Sequence, residues 1–529
     1  MSELRPFDKY FQERSKELSF IQPDVFLSQA LKYGYLPKSG TLPGLIVSKI
    51  NPTNYKLVKI EHIKRKNGQK YINFDPPVTR AIEFVHVDDS GYRVYSLIHP
   101  YSYYLLCKEI ADNLPRIIKV LTRKRTIISY SLPDLTNMKF RKEQGIKHWL
   151  RMAEQDLVAE SGDYNFLLKS DISSFYSSIY THSISWAIHG KKKSQEKKNH
   201  NNWRLIGNRL DKLARNCNGA QTNGLPIGPI TSDILSELVL AAVDEDIEKK
   251  LKRLRVDFRA SRYKDDYRFL LKTSEDAQKA RRVLAEVLHD YGLTLNEKKT
   301  KVYGDIIQNY KREWKYALSR IGLEKASAGS LDEVSSFIDK IYRLQVSDID
   351  YQPALTLLQE LYKTAYESKI EDAFESDKVR RISAQLAHMY RLLPASLPVS
   401  IQILDLLMGA QSKKEKLNIV DNFVGYFGDI ADDGMLAWMY AFYLRVSEES
   451  AYNFLKTMPA KDDMCKLLNN RLFFEEPSVK YGFKKDTVTF ITRESIEDFQ
   501  SKPIDVSLSY NASTPHDDFN EDDVIDIDF

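Results

Sequence analysis

The chain has 529 residues, of which 43% are hydrophobic and 29% charged, and its formal net charge is +5. These proportions describe a globular protein of two to four domains and exclude a low-complexity chain. No apolar run approaches the ~20 residues of a membrane span, and three widely separated cysteines (Cys107, Cys217, Cys465) exclude a disulfide framework or a zinc motif. The first residues, Met1 to Lys9, lack the apolar core of a signal peptide, so the expected compartment is cytoplasmic. The charge is unevenly spread. Between Lys119 and Lys142 stand seven basic residues (Lys119, Arg123, Lys124, Arg125, Lys139, Arg141, Lys142) against the single acid Asp134, whereas Asp517 to Asp528 carries seven acids and no base. Such asymmetry points to a nucleic-acid face and an acidic tail.

Along the chain, Ala81 to Val87 and Gly91 to Ile98 alternate like strands around an Asp-Ser-Gly turn and read as a hairpin. Tyr103 to Ile110 reads as a helix, followed by the basic stretch. Tyr164 to Ser170 is a short apolar strand ending on Asp171, after which comes a turn rich in serine and aromatics. Residues 190–203 are polar and read as a mobile loop in which Lys191, Lys192 and Lys193 offer positive charge; the preceding His182 reads as a structural hydrogen-bonding residue. Asn223 to Ser232 is a stiff Gly/Pro loop leading into a helix, with Thr231 or Ser232 as the N-cap and Ile234, Leu235, Leu238, Val239 and Ala242 on one face. A hairpin with Asp265 and Asp266 at its tip follows, then a helix from Ala280 to Tyr291, then Gly292 to Thr300 leading into a strand. From about 325 to 500 apolar residues recur at helical spacing without a fixed repeat period, as in Leu355, Leu357, Leu358, Leu361 and Tyr362, in Ile401, Ile403, Leu404, Leu406 and Leu407, and in Met435 to Leu444. Residues 511–529 are polar, acidic and expected to be disordered.

By itself the Asp265-Asp266 pair fits a surface turn as well as a pair of carboxylates facing a divalent cation. A third acid on a neighbouring strand would separate the two readings, and Asp171 supplies one. An apolar strand into Asp171-x-x-x-Phe175-Tyr176, then Gly224-Leu225-Pro226-x-Gly228, then Tyr263-x-Asp265-Asp266, then Gly292-Leu293-x-Leu295-Asn296-x-x-Lys299-Thr300 resembles the palm motifs of reverse transcriptases, in the same order. The stretch Ile179 to Gly190 further resembles bacterial reverse transcriptases of the abortive-infection and defence-associated (anti-phage) groups. Recognisable likeness covers roughly residues 95–305.

The resemblance implies a right-hand polymerase of α+β class: an N-terminal region with fingers (1–160), a palm (161–305, with a fingers insertion at about 190–222), an α-helical, thumb-like C-terminal region (306–510) and the acidic tail (511–529). It implies two Mg²⁺ ions, with Mn²⁺ as the alternative, held by Asp171 and Asp265 with the backbone carbonyl of Ile172 as helper and Asp266 in support. Three close carboxylates resist joint ionisation without a cation, which argues for one being bound. By the same resemblance Tyr176 lies beneath the incoming sugar and excludes a 2′-hydroxyl, Gly224, Pro226 and Gly228 approach the nucleotide, and Lys299 protonates or neutralises the leaving pyrophosphate. Lys119, Arg123, Lys124 and Arg125 become candidates for phosphate contact. The family pattern has Gln where this chain has Ile227, which removes a polar contact near the nucleotide and weakens the expectation of strict template-directed fidelity.

The function expected is RNA-directed DNA synthesis from dNTPs in anti-phage defence, with RNA and the DNA product as partners, no membrane, and a homo-oligomer allowed. Protein-primed or non-templated synthesis stays open. The alternatives are an RNA-dependent RNA polymerase, against which Tyr176 argues, and a non-catalytic RNA-binding scaffold, against which the intact Asp171, Asp265 and Asp266 argue.

Overall fold

The computed structural model describes residues 6–37, 41–50, 60–66, 69–88, 91–135, 157–309, 326–346, 352–368, 370, 373–427, 432–458, 463–469 and 488–504. Lys139, Arg141, Lys142 and the acidic tail lie outside them. The fold is α+β. Eleven strands are present among the described residues: β1 (Lys49–Ile50), β2 (Glu61–Lys66), β3 (Gln69–Phe74), β4 (Ile82–Asp88), β5 (Gly91–Leu97), β6 (Ile127–Ser129), β7 (Phe166–Ser170), β8 (Phe258–Tyr263), β9 (Asp266–Leu271), β10 (Lys301–Tyr303) and β11 (Val488–Thr489). Five of them form the central sheet in the order β10-β7-β9-β8-β6.

The sheet is antiparallel except at one edge, where β6 runs parallel to β8 with Ile128 opposite Ser261. The parallel edge arises because β6 arrives from the N-terminal region and is continued by a bond from the Tyr130 amide to the Arg262 carbonyl. One face carries the long helix Ile230–Arg253 and the helix Ser274–Asp290, whose apolar sides (Ile234, Leu235, Leu238, Val239; Ala277, Ala280, Leu284, Leu288) are buried. The long helix is capped at Pro229 and not at Thr231 or Ser232, which lie buried inside its first turn. The second helix begins six residues before Ala280, because Thr273 is an N-cap whose hydroxyl accepts from the Asp276 amide at 3.1 Å.

The expected β4–β5 hairpin is present. So is the helix after it, now Pro100–Asp112. The N-terminal helices Pro6–Ser19 and Pro23–Tyr33 lie over the sheet and the start of the long helix: Tyr10 stacks on Tyr130 with centroids 4.2 Å apart, and the Ile230 amide donates to the Gly34 carbonyl at 2.8 Å. Gly34 is required there, because a Cβ would sit 2.5 Å from the Ile230 side chain. Residues 190–203 are not the expected mobile loop. They hold short helices at Lys191–Gln195 and Lys197–Asn199, with Ser194 and Asn199 buried and bonded to Ser185 and Lys193.

Among the described residues beyond 330, helices predominate and β11 is the one strand. Leu331–Val346, Ser376–Leu392 and Lys413–Gly425 pack successively on one another, as do Gln352–Ser368, Leu397–Leu407 and Asp433–Val446, so that consecutive helices alternate between two layers. Side-chain caps at Ser412 and Asp432 begin two of these helices, and caps at Ser447 and Thr492 begin the further helices Glu448–Thr457 and Arg493–Ser501. The apolar positions named from periodicity are core: Leu355, Leu357, Leu358 and Leu361 are buried, as are Ile401, Ile403 and Leu404 and the whole Met435–Leu444 run. This stack meets the β4–β5 hairpin, where Asp433 accepts from the Val85 amide at 2.7 Å. Among the described residues no helix is long and apolar enough to cross a membrane.

Candidate active site

The site is built where β7 and β9 end side by side. The register ends at the Ser170–Tyr267 pair, so Asp171, the residue after Ser170, and Asp266, the residue before Tyr267, lie at the same end of the two strands. Tyr263 pairs with Asp266 across β8–β9, leaving Lys264 and Asp265 as the two turn residues. Asp265 therefore stands at the tip and Asp266 begins the return strand. Lys264 has φ 51°, an uncommon conformation for a residue with a side chain. It is held by a bond from its amide to Ser131 Oγ at 2.9 Å and by Arg262 Nη1 donating to its carbonyl at 3.1 Å.

Each acid is braced from outside the hairpin. Asp171 is buried, its carbonyl accepts from the Asn296 amide at 2.8 Å, and its Oδ2 accepts from Asn296 Nδ2 at 3.0 Å. Lys299 Nζ lies 3.5 Å from the same oxygen. The Ile172–Leu295 bridge is closed by the Asp171 carbonyl and by the Ser173 amide, which donates to Thr294 O, so the Ile172 carbonyl is not used in it. Asp265 is raised above the ordinary carboxylate range by burial and then by the charge of Asp171. Asp266 is pushed up to about 7, by burial first and then by Asp265 and Asp171. Its side chain keeps exposed surface, so solvent screens part of that repulsion.

Asp171, Asp265 and Asp266 are three hard-oxygen donors, the last two raised by burial and neighbouring carboxylate charge, and that donor set fits a divalent cation. Among the described residues no group of three or more His, Cys, Asp or Glu side chains forms a ready-made metal cage. A magnesium site normally takes only one or two carboxylates and completes itself with water and substrate phosphates.

The other expected residues are placed as follows. Gly224 has φ +88° and its amide donates to Ile179 O at 2.9 Å, while the Leu225 amide donates to Tyr176 O at 2.9 Å, so the Gly/Pro loop holds the Tyr176 segment directly. A Cβ on Gly224 would approach Ser177 O to 3.3 Å. Pro226 is buried in this loop, and Gly228 (φ +130°) packs on Pro37. His182 is structural, 2.6 Å from Asp211. The basic stretch divides. Lys119, Arg123 and Lys124 are exposed, but Arg123 pairs with Glu245 at 2.5 Å, twelve residues and so about 18 Å along the helix from Asp233. Arg125 is a correction: it is buried, donates to Val120 O and faces Glu237 and Asp244, so it is not available to a phosphate.

Two sets of residues were not singled out from the sequence. Asn296 lay inside a quoted motif without a role; it orients Asp171. Arg262 is fully buried and bonds Glu237 at 2.8 Å and Asp244 at 2.9 Å, while Tyr267 donates to Asp244 and Ser129 to Glu237. This network fixes the hairpin base against the long helix. The two acids shift in opposite senses (burial wins at Asp244, raising it; Arg262 with the serine hydroxyls wins at Glu237, lowering it), and both stay bound to one guanidinium.

Partners that orient a metal-binding side chain typically matter 10–100-fold, so Asn296→Ala is expected to lower nucleotide incorporation by about that factor with little change in melting temperature. A second expectation concerns pH. With no ion bound, Asp266 titrates near 7 in the fold and near 3.9 in the unfolded chain. Its protonated form is favoured by folding, so stability is intact below about 4 and is lost as pH rises towards 7. A cation relieves this loss. Millimolar Mg²⁺ should therefore raise the melting temperature more at pH 8 than at pH 5, and an equal gain at both would contradict the assignment.

Residues 89–318 match the family described as "Reverse transcriptase (RNA-dependent DNA polymerase)". No curated protein matches the chain. Among solved structures, apo telomerase from Candida tropicalis truncated from its C-terminal domain is 15% identical, with 43% of this chain and 51% of that one covered and a TM-score of 0.29. Telomerase from Candida albicans in complex with a TWJ fragment of telomeric RNA is 10% identical, covering 76% and 69% at a TM-score of 0.28. Apo Candida tropicalis telomerase is 11% identical, covering 82% and 72% at 0.30. These scores are too low to carry conclusions about this chain, which spans about half the length of the first of the three. The family match spans the five-stranded sheet, its two helices and the Asp171–Asp265–Asp266 junction, and supports a nucleotidyltransferase of the RNA-directed DNA polymerase kind.

Proposed function

We propose that this chain synthesises DNA from dNTPs on an RNA template, with catalysis at the junction of β7 and β9, and that it does so in anti-phage defence. The observation that carries the polymerase reading is the convergence of Asp171 and Asp266 at one end of the β7–β9 pair, beside the Asp265 tip, with Asn296 and Lys299 on Asp171. The defence setting is supported by the Ile179–Gly190 stretch and by Ile227 in place of Gln. On this reading residues 1–160 carry the fingers, 161–305 are the palm, and 306–510 provide a thumb-like region.

Divalent cations bound here would supply Lewis-acid activation of the primer 3′-hydroxyl and charge neutralisation of the pyrophosphate. Asp171, Asp265, Asp266 and the Ile172 carbonyl would hold them. Asn296 fixes the rotamer of Asp171. Lys299, already within ion-pair reach of Asp171, is free to turn to the leaving phosphate once a stronger cation takes its place, and can give that oxygen a proton or neutralise it. Tyr176 limits the sugar, and the Gly224–Gly228 loop supports its backbone.

Incubated with Mg²⁺, an RNA template and a DNA primer, the purified chain is expected to incorporate dNTPs at least about 100-fold better than NTPs in kcat/KM. A preference for NTPs would replace this reading by an RNA polymerase. RNA binding without incorporation of either would replace it by a scaffold.

A further inference from the structure

The Tyr176 hydroxyl is not left to solvent. It donates to Asp233 Oδ1 and accepts from Lys264 Nζ at 3.1 Å; Lys264 in turn lies 3.4 Å from Asp233, and its ammonium stands 5.3 Å over the Tyr176 ring. The three residues come from three elements: the Phe175–Ser178 turn after β7, the first turn of the Ile230–Arg253 helix, and the β8–β9 turn. One side of the ring meets Phe175 edge-on with centroids 5.2 Å apart. Tyr176 also lines a cavity with Tyr130, Ser131, Asp233, Ser236, Tyr263 and Lys264. The polar tie at its hydroxyl adds to this packing in setting where the ring stands. Lys264 reaches the tie from a left-handed turn position whose backbone Ser131 and Arg262 lock, so its ammonium is aimed from a fixed base.

Resting on the reading of Tyr176 as the sugar gate, we propose that Asp233 and Lys264 are the positioning residues of that gate: they clamp the Tyr176 hydroxyl and hold its ring where a 2′-deoxyribose fits and a ribose does not. A gate that rejects one oxygen atom is sensitive to displacements of about 1 Å, for which the neighbouring cavity leaves room. Bulk alone would make the hydroxyl irrelevant, and Phe would then do as well as Tyr.

The test is kcat/KM for dTTP and for UTP, on one RNA template and DNA primer, for the full chain and for Tyr176→Phe, Asp233→Ala, Asp233→Asn and Lys264→Met. Tyr176→Phe, Asp233→Ala and Lys264→Met are expected to lower the dTTP/UTP ratio by about tenfold or more, chiefly through better use of UTP. Asp233→Asn, which still accepts from the phenol, should keep most of the ratio. Ratios unchanged within about twofold in folded variants would overturn the clamp and leave the polymerase reading standing. So would loss of dTTP incorporation without any gain in UTP. Should Asp233→Ala not fold, Tyr176→Phe and Lys264→Met decide in the same terms. A wild-type chain that incorporates neither nucleotide removes the polymerase reading, and the clamp with it.

Discussion

Replacing Asp265 and Asp266 together by alanine is expected to abolish nucleotide incorporation while the melting temperature holds or rises. Both carboxyls are raised by burial and by the charge of Asp171, and Asp266 also by that of Asp265, so in the ion-free protein they oppose folding at neutral pH. Their removal relieves that opposition. What disappears is the donor set for the cations, whose charge stabilisation is worth several kcal/mol in the transition state; at about 1.4 kcal/mol per decade this is a loss of about 10³-fold or more. Were the pair only a surface turn, incorporation would be untouched. Primer extension with a labelled dNTP, alongside a melting curve, separates the two. Asp171→Asn should behave alike in activity, since it keeps the shape beside Asn296 and Lys299 but loses the charge.

The second large effect is on stability. Arg262→Ala should lower the unfolding free energy by about 3–5 kcal/mol, because it strips the shared cation from Glu237 and Asp244 and leaves two buried carboxylates with only hydroxyl donors. Arg262→Lys should recover little, since one ammonium cannot reproduce the forked contacts to both acids. Part of the loss in Arg262→Ala should return as pH falls towards 5, where the uncompensated carboxyls take up protons that the unfolded chain binds less readily. Urea unfolding at pH 5 and pH 8 measures this; a variant as stable as the parent at pH 8 would show that the network does not hold the hairpin base.

The sequence made the local chain legible and left much of the tertiary bonding hidden, for identifiable reasons. Apolar alternation found β4 and β5, a short apolar run found β7, and helical spacing found the buried faces of the C-terminal helices, because those patterns depend on near neighbours alone. The meeting of Asp171 with the 265–266 turn came from motif order; strand register explains it only once β7 and β9 are seen to pair. The Tyr176–Asp233–Lys264 clamp joins residues 57 and 88 positions apart, and nothing in their own surroundings marks them. Arg125 looked like its neighbours in a basic run, yet it is the one turned inward to Glu237 and Asp244. Residues 190–203 were polar enough to pass for a loop; their serine and asparagine side chains serve instead as buried backbone anchors. Pro229 displaced Thr231 and Ser232 as the helix start because its ring fixes φ near −70°, which lets the helix begin one residue later without a side-chain cap.

The most direct measurement is the anomalous difference density of manganese in crystals of the full chain grown with Mn²⁺ and a non-hydrolysable dNTP. The account predicts peaks between the carboxyl groups of Asp171 and Asp265, close to the Ile172 carbonyl, with Lys299 displaced from Asp171. Manganese bound elsewhere, with Asp171 still paired to Lys299 and the 265–266 turn bare, would contradict it.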